Sequence, residues 1–284
     1  MKLPIRDTIF EVFQFLWENR LDMLRMSAAP VFALSIFHII LPALFAGYTP
    51  AEGEKPSLSG MNVLGLFLAV ALPTIFYVMF AVAWHRRCLK SEEQTTILTA
   101  LRWDQRKTLF LFRFFMISIL SLVAVLPVIV IGSIVGFFTA AGMATGGVGG
   151  PTTGMLMQQL AKTALIVAVM LVQVRLSLIL PATAIDQKLT LMEAWVMGRG
   201  NSWRLFAVLI MSVAPAMVVL ILVASAIGGL AQGTGLGGTL TFQFVVRLIF
   251  NMAYYVVIAA SVSALSISYR KLRHTPSPGM PYHM

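Results

Sequence analysis

The stretch Thr108–Phe138, TLFLFRFFMISILSLVAVLPVIVIGSIVGFF, runs for 31 residues with a single charge, Arg113, and no acid. A helix rises about 1.5 Å per residue and the hydrocarbon core of a bilayer is about 30 Å thick, so about 20 mainly apolar residues suffice to cross it. Directly before it stands the polar run Arg102-Trp-Asp-Gln-Arg-Lys107. Five more apolar stretches follow the same pattern, near Ser27–Tyr48, Met61–Trp84, Leu160–Ala184, Trp203–Gly229 and Phe242–Ser268. The whole chain of 284 residues is 58% hydrophobic and 11% charged, with a mean hydropathy of +0.86. Soluble domains are roughly 45–50% apolar and 25% charged, so water is not the main solvent. The expected fold is an all-α polytopic membrane protein: six transmembrane helices plus cytoplasmic amphipathic in-plane helices. Its expected parts are an N-terminal amphipathic interfacial helix over residues 1–26, a six-helix transmembrane domain over 27–268 and a disordered cytoplasmic tail over 269–284.

The basic residues fall in alternate gaps. Lys2, Arg6, Arg20 and Arg25 precede the first span, and Arg86, Arg87, Lys90, Arg102, Arg106 and Lys107 fill the second gap. Lys188, Arg199 and Arg204 mark the fourth gap, and Arg270, Lys271 and Arg273 the tail, whereas the first gap holds only Lys55. Lysine and arginine in short loops resist translocation, so both termini are expected on the cytoplasmic side. The net charge of +10 and pI of about 10.2 then suit anionic headgroups, each basic residue near them gaining about 1 kcal/mol. Nucleic-acid binding is not expected, because no basic stretch sits in a separate soluble domain.

Before the first span, Asp7, Glu11, Gln14, Glu18, Asp22 and Arg25 recur at helical spacing, as do Phe10, Phe13, Trp17, Leu21 and Leu24. That periodicity predicts an amphipathic helix along the cytoplasmic interface, with Thr8 and Glu11 as a capping box. Setting Asn19, Gln105 and Asn201 in register, 86 and 96 residues apart, places Thr8-Ile-Phe-Glu11 on Thr190-Leu-Met-Glu193. The chain then divides into three units, each an in-plane helix followed by two spans. The match reads either as duplication or as shared boundary chemistry. The outward stretches Ala144–Gly154 and Gln232–Gly238 are glycine-rich and uncharged, and read as connectors rather than as a phosphate cradle, since no G-x-x-x-x-G-K-[ST] pattern occurs.

All eleven Asp and Glu residues lie outside the six apolar stretches. Cation- and proton-coupled carriers commonly use an intramembrane carboxylate, and that part is missing here. His38, His85, His274 and His283 form no H-E-x-x-H, no G-x-S-x-G occurs, and Cys88 is the only cysteine. No catalytic residue, metal ligand or cofactor is therefore assigned. The spans instead hold Arg113, Arg175 and Arg247, with Gln173, Gln243 and Asn251 as polar neighbours. Arg175 stands out, nine residues from the cytoplasmic end of its span. An arginine deep in hydrocarbon costs about 2.5–3.5 kcal/mol on insertion scales unless paired or hydrated. Such arginines bond to carbonyls of broken helices, reach interfacial acids such as Asp186, or hold an anion such as a lipid phosphate. Arg175, Gln173, Asp186, Arg247 and Asn251 form the candidate anion or lipid site. His38 is expected to hydrogen-bond to a neighbouring helix. Pro30, Pro42, Pro73, Pro127, Pro181 and Pro215 are expected to kink their helices, and Gly132, Gly136 and Ala140 to let helices approach closely.

The run Arg175-Leu-Ser-Leu-Ile-Leu-Pro-Ala-Thr-Ala-Ile-Asp186, continued by Leu191-Met-Glu-Ala-Trp195 and Gly198-Arg-Gly-Asn-Ser-Trp-Arg-Leu205, resembles a recurrent pattern of uncharacterised six-span bacterial inner-membrane proteins. It is also similar to the membrane domain found beside some glycerophosphodiester phosphodiesterases. The resemblance covers the fourth-span region and the general layout, about a third of the chain. It implies a bacterial inner-membrane setting and no assigned activity, since the phosphodiesterase chemistry belongs to a separate soluble domain. It joins Arg175, Pro181, Asp186 and Trp195 into one motif, with Glu193, Asn201 and Trp203 as its interfacial members. Two functions follow. One is a non-enzymatic membrane module binding anionic lipids or membrane-protein partners through its amphipathic helices; the other is a carrier or flippase for an anionic lipid or solute. A polar path joining Arg175, Gln173, Asn251 and Arg247 would favour the carrier.

Overall fold

A computed structural model describes residues 2–45, 60–90, 97–144 and 151–273, and the regular elements among them are helices. In chain order they are α1 (Ile5–Glu18), α2 (Arg20–Phe45), α3 (Gly60–Leu89), α4 (Ile97–Leu101), α5 (Gln105–Ala144), α6 (Pro151–Leu176), α7 (Ile179–Ala184), α8 (Leu191–Met197), α9 (Ser202–Thr234) and α10 (Leu240–Arg273). Six of the helical stretches are long and apolar enough to cross a membrane, so the chain is an all-α polytopic membrane protein. The order of one short helix and then two long ones occurs three times, opening at α1, α4 and α8. Most of the connector Ala144–Gly154 lies outside the described residues, but Pro151 to Gly154 form the first turn of α6, where proline's fixed φ and missing N–H are favourable. Gln232 to Thr234 likewise continue α9, which Gly235 ends at φ 67° in the left-handed region that glycine adopts freely.

The long helices overrun their apolar stretches. α3 ends with Arg86 and Arg87, and α10 with Arg270, Lys271 and Arg273. Apolar composition stops where hydrocarbon stops, while the backbone ladder continues into the headgroup zone, where cations oppose the negative end of the helix dipole. At the start of the chain, the helix expected to be continuous through Arg25 is divided at Asn19, whose backbone N–H and side-chain amide both donate to Phe15 O. The capping box expected at Thr8 and Glu11 does not form. Helix α1 opens a turn earlier, after Pro4, so Thr8 lies inside it and its hydroxyl donates back to Pro4 O at 2.5 Å. Glu11 is then free to pair with Arg270 and Lys271 of α10.

The fourth span is not one helix. Pro181 has no N–H to offer Ser177 O, and its ring would strike that carbonyl in a continuous helix. The chain breaks at Ser177–Leu178 and resumes as α7, every residue of which is buried. Among the six prolines, Pro73 and Pro215 sit in helices that run through them, whereas Pro181 lies just beyond a break.

The six long helices form a closed ring of neighbours, α2, α3, α5, α6, α9 and α10, with α10 also crossing to α3 and α7 filling the inside against α3, α5 and α10. Lipid tails are as apolar as leucine, so helices associate in a bilayer through close packing and hydrogen bonds. Helix α10 supplies both. Its Ala259, Ala260, Ser263 and Ala264 are buried, and Trp84 of α3 donates Nε1 to Ala259 O at 3.1 Å and to Ser263 Oγ at 2.8 Å. His85 Nδ1 lies 2.6 Å from Ser266 Oγ. Phe15 packs edge-on against Trp84 with ring centroids 5.4 Å apart, which locks α1 to the same knot. The Gly132, Gly136 and Ala140 stripe falls outside the side-chain surroundings that are described, and His38 makes a tilted contact with Phe37.

Replacing Trp84 with alanine is expected to remove about 3 kcal/mol or more of stability, combining a large cavity with two orphaned acceptors. Phe115→Ala, at an exposed site, is expected to stay within about 0.5 kcal/mol. Denaturant titration followed by circular dichroism compares the two; equal losses would contradict the assignment of Trp84 as the knot.

Candidate functional site

Both described ends of the chain and the short helices α1, α4, α7 and α8 meet at one end of the ring, which among the described residues also carries ion pairs such as Asp22–Arg87, Asp186–Arg106 and Glu11–Lys271. The site is built there from helix ends. A helix leaves its last carbonyls without intrahelical donors, and α7 buries those groups. Arg86 of α3 donates to Ala184 O at 3.1 Å and to Asp186 Oδ2 at 3.2 Å. Arg106 of α5 reaches Asp186 Oδ1 from the other side at 2.6 Å, and Arg113 donates to Thr183 Oγ1 at 2.6 Å. Gln187 accepts from the Tyr269 hydroxyl at 2.7 Å. Asp186 takes this post with φ 62°, a left-handed conformation that aspartate tolerates better than most residues. Burial raises the affinity of its carboxyl for a proton, but the hydrogen bonds and charges of Arg106 and Arg86 outweigh that and hold it below the usual carboxylate range.

The break before α7 also relocates Arg175. It is not deep within an unbroken span but in the last turn of α6, beside α8. Its guanidinium lies over the Trp195 ring, 3.7 Å from the centroid, and Nη2 donates to Trp195 O at 3.0 Å. Nε is buried with no hydrogen-bond partner among the described residues. Close approach is possible because residue 198 is glycine; a Cβ there would come within 3.2 Å of Arg175 Cγ. Helix α8 has the capping box that α1 lacks. Thr190 Oγ1 accepts from Glu193 N at 3.2 Å, and Glu193 Oε2 accepts from Thr190 N at 2.7 Å, which holds the Glu193 carboxyl below its ordinary range.

Asn201 does not cap its own helix. Its Oδ1 accepts from Leu3 N at 2.9 Å, and Arg204 donates to Leu3 O at 2.8 Å, so the chain's start is clamped against α9. Helix α1 thereby shows three faces. Thr8 and Val12 are buried, Asp7, Gln14 and Glu18 face outward, and Phe10 and Trp17 are each 70% exposed. Leu21 and Leu24 extend this apolar strip onto α2, and Met192, Val196 and Trp203 form a second one around α8 and the start of α9. Arg20, Arg25, Lys188 and Arg199 stand exposed among them.

Comparison with known protein families, curated proteins and solved structures gives no match. The geometry alone carries the functional argument. It brings Arg175 and Trp195 into direct contact, with Pro181 inside α7 and Asp186 two residues beyond its end. It does not join these to the rest of the expected site. Arg247 is exposed toward the opposite end of α10, and Asn251 donates to Ser35 Oγ of α2 at 3.0 Å. Gln173 lines a separate internal cavity. The residues that do hold the site together, Arg86, Arg106 and Lys107, were legible only as topology signals. Lys107 is buried, with Nζ donating to Thr99 O at 3.1 Å and to Arg102 O.

Since Asp186 holds a proton less tightly when folded than when unfolded, the stability it adds is complete above its ordinary value of 3.8 and disappears as pH falls through the lower folded value. Asp186→Asn keeps a side chain suited to left-handed backbone and is expected to be less stable than the native chain at pH 7, with the two converging as pH falls through the lowered range of the folded carboxyl. Asp186→Ala is expected to lose about 1 kcal/mol more from backbone strain. Denaturant titrations from acidic to neutral pH test this; a pH-independent gap between the native chain and Asp186→Asn would contradict it.

Proposed function

We propose that this protein is a non-enzymatic module of the bacterial inner membrane, with both termini cytoplasmic, that binds anionic lipids at its charged end. One observation carries the reading: α1 packs one face on the bundle and leaves a second apolar strip, Phe10, Phe13 and Trp17, uncovered beside exposed arginines. Aromatic and aliphatic side chains at the acyl boundary with cations at headgroup depth are what an in-plane helix on an anionic leaflet requires. Met192 and Trp203 offer the same chemistry around α8. The carrier alternative has less support. Arg113 is engaged with Thr183 and Arg175 with Trp195, and Arg247 and Asn251 stand apart from both.

The test is native mass spectrometry of the full chain extracted from bilayers of equal phosphatidylglycerol and phosphatidylethanolamine. Arg25→Gln and Arg199→Gln are expected to lower retained phosphatidylglycerol about fivefold each, the weight of about 1 kcal/mol per cation. Trp17→Ser is expected to weaken retention of both lipids. Retention that is unchanged in all three variants defeats the proposal.

A further inference from the structure

Between the helices lies a partly open cavity of about 250 Å³ that none of the surface chemistry uses. It exists because α6 stops at Leu176 and α7 turns inward, so the span does not fill its own column. Six polar side chains reach it: Tyr77 and His85 of α3, Gln173 of α6, Ser177 at the break, and Ser261 and Ser268 of α10. Phe114, Ile117, Met170, Leu209 and Leu265 supply apolar wall. From Tyr77 to His85 the lining follows eight residues of one helix, about 12 Å at 1.5 Å per residue. The volume lies just under the roughly 300–1,000 Å³ of ordinary small-molecule pockets, and the mixture of apolar wall with a few convergent polar groups is typical of them.

The lining contains no lysine, arginine, aspartate or glutamate. The four arginines adjacent in sequence to lining residues face other partners: Arg86 bonds to Ala184 O and Asp186, Arg113 to Thr183, Arg175 lies on Trp195 and Arg204 donates to Leu3 O. An ionised ligand would therefore be buried without a countercharge, at a large desolvation cost. The Ser177 and Ser261 hydroxyls donate to Val174 O and Ile258 O and His85 Nδ1 is bonded to Ser266, but a pure hydrocarbon would offer no partner to the Gln173 amide, the Ser268 hydroxyl or the second nitrogen of His85. We infer that this cavity binds an uncharged amphiphile, an alkyl or prenyl chain ending in a hydroxyl or carbonyl, with the polar end among His85, Gln173 and Ser268. The inference is independent of the lipid-surface reading, because no residue of the exposed strips lines the cavity.

The probe is a diazirine-bearing decanol, photolysed with the full chain in bilayers, with labelled residues read by peptide mass spectrometry. Label is expected on the lining segments Met170–Ser177 and Ser261–Ser268, competed by decanol and not by decanoate. Ser261→Phe, which fills the space, is expected to reduce that label at least tenfold. Should this variant fail to fold, Gln173→Leu keeps the shape and is expected to weaken competition by decanol about three- to tenfold, the weight of one neutral hydrogen bond. Label confined to lipid-facing positions such as Phe112 and Ile119, equal competition by decanoate, or undiminished labelling in both variants would overturn the inference. Label absent from the lining altogether means a cavity holding water only, and overturns it equally.

Discussion

The arrangement at the charged end depends on one requirement: a short helix packed near lipid must have its last carbonyls satisfied. Four helices meet it in the same way, with a basic side chain from outside the helix, near in sequence for α1 and α4 and distant for α7 and α8. Arg20 donates to Trp17 O at the end of α1, Lys107 to Thr99 O in α4, Arg86 to Ala184 O in α7 and Arg175 to Trp195 O in α8. Each is a charge-assisted bond at the negative end of a helix dipole, stronger than a neutral hydrogen bond and least dispensable where water is scarce. The basic bias that fixes the expected topology is thus also an inventory of C-terminal caps. The acids complete it: Asp22 pairs with Arg87 across α2 and α3, Glu11 with Arg270 and Lys271 across α1 and α10, and Asp186 with Arg86 and Arg106.

The sequence made the spans legible because hydrocarbon thickness leaves a direct mark on composition, and the charged boundaries were legible for the same reason. The break in the fourth span was not. Six prolines looked alike, and only the tertiary setting separates Pro181, whose preceding turn opens inward between α3, α5 and α10, from Pro73 and Pro215 in uninterrupted helices. That single event moved Arg175 from apparent mid-membrane depth to a helix end. It also made Asp186 the partner of Arg86 and Arg106, which lie 100 and 80 residues away and leave no local pattern.

The aligned segments Thr8–Glu11 and Thr190–Glu193 show the limit of local signals most plainly. Identical spacing gives a complete capping box in α8 and none in α1. The difference lies in what precedes each: Pro4 lets α1 start a turn early, whereas Thr190, at φ −85° and ψ 161°, keeps an extended backbone that makes it the cap. Glu11 then finds stronger partners in two cations of α10. Equivalent sequence positions in the three units therefore do different structural work, whatever their origin.

The same allocation of charge separates outer surface from interior. With Arg113 and Arg175 committed to α7 and α8, the space between the helices is mainly apolar, holds a few polar groups and carries no lysine, arginine or acid. Drawing Arg175 into it would break its bond to the Trp195 carbonyl and its stack on the ring, and would place the cation in hydrocarbon at about 2.5–3.5 kcal/mol on insertion scales. An anion entering in its place would meet no compensating charge. On the proposed reading the bundle meets charged headgroups at its rim and neutral groups inside, and the arginines divide the two by being held in the caps.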